Sequence, residues 1–478
     1  MSAASGPVAT VVAHVEREWV ETLMPSLFDY VAIPCVSKAY DPEWEAHGHL
    51  AAAIDHVGAW CRSRRVAGMT VEVERLPGLT PVIVIDVPAF GDLPPERAAE
   101  TVLMYGHVDK QPEMTGWREG LGPWTPVVED DRLYGRGGAD DGYAAYASLL
   151  AIEAAQVAGI AHARCLILIE ASEESGSPDL PAYVTALRER IGTPSLVVCL
   201  DGGCIDTARM WTTTSLRGLA SGELRVEVLR EGIHSGEASG VVASSFRILR
   251  HLLDRIEDSA TGEVLVPECH VPIPADRLAQ AAETAAMHEV ASALPFVDGV
   301  RPVSADPVEQ LLAQTWRPTI STTGVDGIPP LDRAGNVLRP STAVALSVRL
   351  PPTCDSAAAL AAIERRLTAD PPYGARVTFG NTRHADGWNA PAFEPWLTAA
   401  LDTASTATFG APARSYGEGG SIPFMGMLGE QFPAAQFVVT GVLEPGTNAH
   451  GPNEYLPLAA ARRLTAALAL VLRAHATR

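Results

Sequence analysis

Apolar residues recur at helical spacing over positions 8 to 31 and 46 to 66, and short apolar runs follow near 70 to 76 and 81 to 87. This pattern predicts two helices and then two strands. Beyond them, strand-like and helical stretches alternate as far as Asp201. Thr101-Val102-Leu103-Met104-Tyr105, residues 163 to 171 and Ser195 to Leu200 are mainly apolar runs without alternation, the kind that a parallel sheet buries on both faces. The alternation is that of βαβ units and predicts an α/β, doubly wound domain. After Met210-Trp211-Thr212-Thr213-Thr214 the rhythm changes: strand-like Gly218 to Val228, a helix from about Ala243 to Ile256, a Pro-rich irregular stretch to about 305, strand-like Ala343 to Leu350, and a helix from Asp355 to Leu367. That order predicts an inserted α+β domain with its own antiparallel sheet. A helix at Phe393 to Thr408, a strand at Gln436 to Thr440 and an amphipathic helix from Tyr455 to about Ala474 rejoin the first domain. The division is therefore 1–213, an insert over 214–386, and a return over 387–478.

Charged residues stand where the apolar strands stop. The strand ending at Tyr105 breaks at Gly106, so His107 and Asp109 point to one side just beyond its carboxyl end. A metal-bound imidazole needs its second ring nitrogen tied to a carboxylate or carbonyl, and Asp109 is placed to supply that contact. Gly135-Arg136-Gly137-Gly138-Ala139-Asp140-Asp141 follows. The strand at 163 to 171 runs into Ser172-Glu173-Glu174-Ser175-Gly176-Ser177, and the strand ending at Leu200 runs into Asp201. Neighbouring glutamates on a turning backbone diverge, so one can coordinate metal while the other faces water and substrate. The carboxyl edge of an open α/β sheet is where ligands bind. Together these residues predict a dinuclear metal site.

His107-x-Asp109, the Gly-Arg-Gly-x-x-Asp run ending at Asp140, Glu173-Glu174, Asp201 and His450 within Ala449-His450-Gly451-Pro452-Asn453-Glu454 resemble the ordered motifs of the M20 metallopeptidases. Within that family they look most like the branch of cytosolic nonspecific dipeptidase and carnosinase. The resemblance implies a zinc-peptidase-type catalytic domain carrying a lid and dimerisation domain. It implies that Asp140 bridges two metals, that His107 and Asp201 complete one coordination sphere and Glu174 and His450 the other, and that Glu173 is the general base beside a catalytic Asp109. In the insert, Gly232-Ile233-His234-Ser235-Gly236 resembles the family motif whose histidine reaches the active site of the other subunit of a homodimer. Arg349 resembles the residue that pairs with the substrate carboxylate, and Glu418-Gly419-Gly420-Ser421 the glycine-rich substrate loop, with Gly420 and Ser421 as binding positions. One departure stands out: where family members often have Lys-Gly two and three positions after the bridging aspartate, this chain has Gly142-Tyr143.

Composition narrows the remaining possibilities. The chain has 478 residues, 47% hydrophobic and 19% charged, enough for two or three cores. A net charge of −21 argues against a nucleic-acid partner, which would need a basic face. The start Met1-Ser2-Ala3-Ala4-Ser5-Gly6 lacks the features of a secretory signal and no stretch reaches membrane-spanning length, so a cytoplasmic location and no membrane contact are expected. Seven cysteines, at 35, 61, 165, 199, 204, 269 and 354, form no CxxC pair and are expected as reduced core residues. Lysine occurs only at 38 and 110, neither behind a phosphate-binding glycine loop, and Lys110 is expected at the surface or the rim of the site. Gly419-Gly420-Ser421-Ile422-Pro423 is no nucleophile elbow. The expectation is a two-metal hydrolase, with zinc favoured and manganese or cobalt also suited to the ligands, cleaving a dipeptide or short peptide beside a free C-terminal carboxylate. An N-acyl amino acid amidohydrolase on the same scaffold is the alternative. A non-catalytic binding protein is disfavoured by the presence of Glu173.

Overall fold

The structure, a computed structural model, describes residues 6–478; the polar start Met1–Ser5 lies outside them. The chain forms two compact units, one made of Met1–Thr214, Ala390–Tyr416 and Met427–Arg478 and the other of Ser215–Asn389 and Gly417–Gly426. The α/β domain with an α+β insert expected from the apolar rhythm is present.

In the first unit a mixed sheet runs in the order Thr70–Glu74, Val82–Val87, Arg164–Glu170, Thr101–His107, Pro194–Cys199 and Gln436–Val439, with Val439 paired to Thr213. Its centre is parallel: Thr101–His107 pairs with Arg164–Glu170 on one side and Pro194–Cys199 on the other, and Gln436–Val439 extends the run. Every residue of Thr101–His107 is buried, which is why the sequence shows no alternation there. The parallel strands bring His107, the Glu173–Glu174 turn and Asp201 to one edge. Helices Pro7–Glu18, Tyr143–Val157, Pro395–Thr408 and Leu458–Thr477 contribute to the core over this sheet. Tyr143 through Ala155 are all buried, so that helix has no polar stripe. The helix expected over 8 to 31 contains a π turn at Trp19–Leu23 ahead of Pro25, which has no N–H to donate. The one expected over 46 to 66 is divided at Gly48, whose φ of 71° places it in the left-handed region.

The second unit has a four-stranded antiparallel sheet in the order Thr319–Asp326, Ser341–Leu350, Gly218–Glu227 and Arg376–Ala385. Helices Ser245–Leu253 and Ser356–Thr368 pack into its core. The two outer strands escape the sequence pattern, because their residues are largely exposed or half-buried and form no apolar run. Within the Pro-rich stretch lies a helix, Ala275–Ala285. Gly417–Gly426, which sequence places in the returning part of the first domain, clusters with this unit. Hydrogen bonds explain that: the Arg217 amide donates to the Gly420 carbonyl at 2.9 Å and Arg349 Nη1 to Ser421 Oγ at 3.2 Å.

Lys110 corrects the expectation of a surface residue, for it is fully buried. Its ammonium donates to the carbonyls of Tyr30 at 3.0 Å, Val31 at 3.1 Å and Ile33 at 2.8 Å. The Tyr30 and Val31 carbonyls lie in the last turn of the Met24–Val31 helix, where a cation suits the negative end of the dipole. The lysine stem lies against Gly137, where a Cβ would come within 2.5 Å of Lys110 Cγ. All seven cysteines are free and buried. No helix among the described residues is long and apolar enough to cross a membrane.

Candidate metal centre

His107 ends its strand with the ring wholly buried. Its Nδ1 lies 3.0 Å from the carbonyl oxygen of Asp109 and 3.4 Å from the Asp109 carboxylate. Nδ1 therefore serves as donor, and Nε2 keeps a lone pair directed inward. The expected tie to the Asp109 carboxylate is thus made first by its backbone. The carboxylate itself accepts the amides of Glu173 and Glu174, each at 3.0 Å. A buried anion receiving two adjacent N–H groups fixes the turn that presents both glutamates.

Asp140 sits between two imidazoles. One carboxylate oxygen is 3.4 Å from His107 Nε2 and the other 3.0 Å from His450 Nε2. Asp201 comes to 3.8 Å of His107 Nε2, and Glu174 to 3.3 Å of His450 Nε2. Ligand-competent atoms therefore gather in two groups, His107 with Asp140 and Asp201, and Asp140 with Glu174 and His450, each within 4.8 Å. Asp140 belongs to both. Glu173 follows Asp109's amide contacts on the same turn as Glu174.

His450 is exposed on a loop, with φ 64°. What steadies that loop is a pair absent from the expected site residues. Arg136 and Glu454 form a buried ion pair, Arg136 also donates to the Gly451 carbonyl at 2.8 Å, and the Gly137 amide donates to Glu454 at 2.8 Å. The loop carrying His450 is thereby fastened to the loop carrying Asp140. Gln111, also missed, donates to Glu174 at 2.7 Å. Arg136 and Glu454 stand inside the motifs, but nothing local pairs residues so far apart in the chain. Tyr143, the departure from the family pattern, is buried, and its hydroxyl donates to the Leu200 carbonyl at 2.7 Å. It braces the strand end that carries Asp201.

The electrostatics are those of a site built around positive charge. Burial, joined by the charge of Asp201, pushes the Glu173 carboxyl well above the usual carboxylate range. Burial and Asp140 do the same to Glu174. At Asp140 burial acts in the same direction, but contacts with His107 and His450 outweigh it and hold that carboxyl below the usual range. His107 Nε2 and Glu174 Oε1 are buried without a hydrogen-bond partner. Buried polar atoms of this kind are rare unless something else meets them, and two imidazoles with surrounding carboxylates fit divalent cations. A third gathering of ligating atoms, His14, Glu18 and Glu153, already has its cation: Arg64 donates to Glu153 at 2.8 Å and to Glu18 at 2.7 Å.

The remaining expected residues belong to the second unit. His234 is exposed, pairs through Ile233–His234 with Val337–Leu338, and accepts the Gly236 amide on Nδ1 at 3.1 Å. Arg349 is half-buried and donates to Ser421 Oγ, while that hydroxyl donates to the Arg217 carbonyl.

A doubly wound sheet whose carboxyl edge gathers two ligand groups around one aspartate is the frame of a metal-dependent peptidase. The profile of peptidase family M20/M25/M40 matches residues 103–474, and the chain belongs to that family. It is 28% identical over 370 residues to the cysteinylglycine-S-conjugate dipeptidase of Corynebacterium striatum, covering 75% of this chain and 78% of that protein. It is 26% identical over 369 residues to the Beta-Ala-His dipeptidase of Homo sapiens, covering 74% and 68%. Among solved structures it is similar to the di-peptidase Dug1p of Saccharomyces cerevisiae, with a TM-score of 0.76 and 20% identity over 98% of this chain and 99% of the other. It is likewise similar to human carnosine dipeptidase 1, with a TM-score of 0.75 and 20% identity over 99% and 100%. At those identities the structural likeness speaks for the fold.

Asp109→Asn tests the turn. One acceptor oxygen becomes an amide donor facing a backbone N–H, which should cost about 1 to 3 kcal/mol of stability and lower turnover. Chemical unfolding and initial rates measure both, and unchanged stability would show that Asp109 does not hold the glutamate turn.

Proposed function

We propose that the protein is a dinuclear metallodipeptidase that cleaves unblocked dipeptides bearing a free C-terminal carboxylate. The observation that carries this reading is Asp140, shared between two ligand groups, with Glu173 held beside them by Asp109. His107, Asp140 and Asp201 would hold one ion, and Asp140, Glu174 and His450 the other. Their nitrogen and oxygen donors suit zinc and also accept manganese or cobalt. When bound, such ions lower the pKa of water toward neutrality and polarise a carbonyl.

Glu173 takes the proton of the attacking water and returns it to the leaving amine. His234 donates to the developing oxyanion in the neighbouring subunit of a homodimer, and its exposed ring, with Nδ1 engaged by the Gly236 amide, supports that role. Arg349 receives the substrate carboxylate, for which a planar guanidinium is suited, and Gly420 and Ser421 complete its surroundings. Buried free cysteines support a reducing, cytoplasmic location.

Glu173→Gln should abolish turnover while leaving about two ions bound per chain, since it removes a proton acceptor and no ligand. Asp140→Asn should weaken retention of both ions. Metal analysis beside activity reads the pair, and loss of metal from Glu173→Gln would exchange the roles of Glu173 and Glu174.

Substrate class is read from matched pairs. Free dipeptides should be cleaved much faster than their N-acetylated forms, with Arg349→Ala harming mainly substrates that have a free carboxylate. Faster hydrolysis of N-acyl amino acids would make the enzyme an amidohydrolase of the aminoacylase type.

Assembly is tested by mixing two inactive variants, His234→Ala and Glu173→Gln. Hybrid dimers contain one site with both wild-type residues, so partial activity should return. No recovery despite subunit exchange would place His234 outside the neighbour's site.

A further inference from the structure

Buried arginines elsewhere in this protein stand on acids: Arg136 on Glu454, and Arg64 on Glu153 and Glu18. Two arginines of the second unit do not. Arg217 is 9% exposed and its donors end on neutral oxygens: Nε on the Gly419 carbonyl at 3.1 Å, and Nη1 on the Ala313 carbonyl at 3.4 Å and Thr319 Oγ1 at 3.2 Å. Arg349 is half-buried and donates to the Ser421 hydroxyl. Neither has an acidic partner among the described residues. Both meet the same short loop, since Ser421 links Arg349 Nη1 to the Arg217 carbonyl and the Arg217 amide holds the Gly420 carbonyl.

Such a pair is electrostatically unfinished. A cation withdrawn from water costs several kcal/mol unless an opposite charge stands near it, and two cations around one loop add mutual repulsion. Burial, with Arg349's charge behind it, pushes Arg217 down to about 10, and burial also lowers Arg349. The fold supplies no anion. A ligand with one carboxylate answers one guanidinium and leaves the other charge standing, while a ligand with two answers both.

We propose that Arg217 is a specificity-determining residue: it positions the Gly419–Ser421 loop and, with Arg349, forms a two-cation site that favours a C-terminal substrate residue carrying a second carboxylate, aspartate or glutamate, over lysine. This rests on the reading that Arg349 receives the substrate's α-carboxylate. Arg217 contributes by charge acting across a partly desolvated site, where Coulomb interactions are screened less than in water, as well as by its grip on the loop.

The experiment compares Ala-Glu, Ala-Ala and Ala-Lys on the metal-loaded enzyme and on Arg217→Met, Arg217→Lys and Arg349→Met. Wild type should show a KM for Ala-Glu about tenfold below that for Ala-Lys, the scale of a single desolvated charge contact. Arg217→Met should shrink that ratio to about threefold or less, Arg217→Lys should keep most of it, and Arg349→Met should raise KM for all three. Equal KM values for Ala-Glu and Ala-Lys in wild type overturn the proposal without any variant having to fold. So does a folded Arg217→Met whose KM values all rise while their ratio stays, because that is the result of a loop support alone. Failure of the underlying reading shows itself separately, as an unchanged KM when the α-carboxylate of Ala-Ala is amidated, and takes the proposal with it.

Discussion

Carboxylates withdrawn from water can be held close together only if positive charge stands among them, and this constraint shapes the first unit. Asp109, Asp140, Glu174 and Asp201 are all buried, with Glu173 on the same turn. Asp109 is satisfied by two backbone amides. The others converge on His107 and His450, whose facing nitrogens lie on either side of Asp140. The parallel strands, the buried helix beginning at Tyr143 and the glycine loop before Asp140 all bring acids to one sheet edge. Divalent cations suit that arrangement chemically, in contrast to the His14 and Glu153 cluster, where Arg64 already fills the cationic role.

Precision at such a site depends on groups that touch no ligand. Asp109 sets the direction of the glutamate turn, and the Arg136 and Glu454 pair joins the loops of Asp140 and His450. Lys110 ties three carbonyls at a helix end to the segment immediately after Asp109. Each is a buried charge held by several hydrogen bonds to fixed partners, the condition under which burying a charge rigidifies rather than destabilises.

The two units solve opposite electrostatic problems. The first concentrates anions that call for cations, whereas the second leaves Arg217 and Arg349 without acidic partners among the described residues.

The central strands were legible because burial on both faces of a parallel sheet leaves a mainly apolar run without alternation, and the ligand candidates because charged residues stand where those runs stop. His107, Glu174 and Asp201 stand where those runs stop, whereas His450, and the ligand roles of the whole set, came with the resemblance to the M20 motifs. Tertiary structure decided what lies between distant segments. The half-exposed strands Thr319–Asp326 and Arg376–Ala385 have no local apolar signature and exist because neighbouring strands complete their hydrogen bonds. The burial of Lys110, the pairing of Arg136 with Glu454, the amide contacts of Asp109 and the membership of Gly417–Gly426 in the second unit all depend on partners far along the chain. A periodicity reports which face of an element is dry; which charge meets which across that dry space is fixed only when the chain has folded.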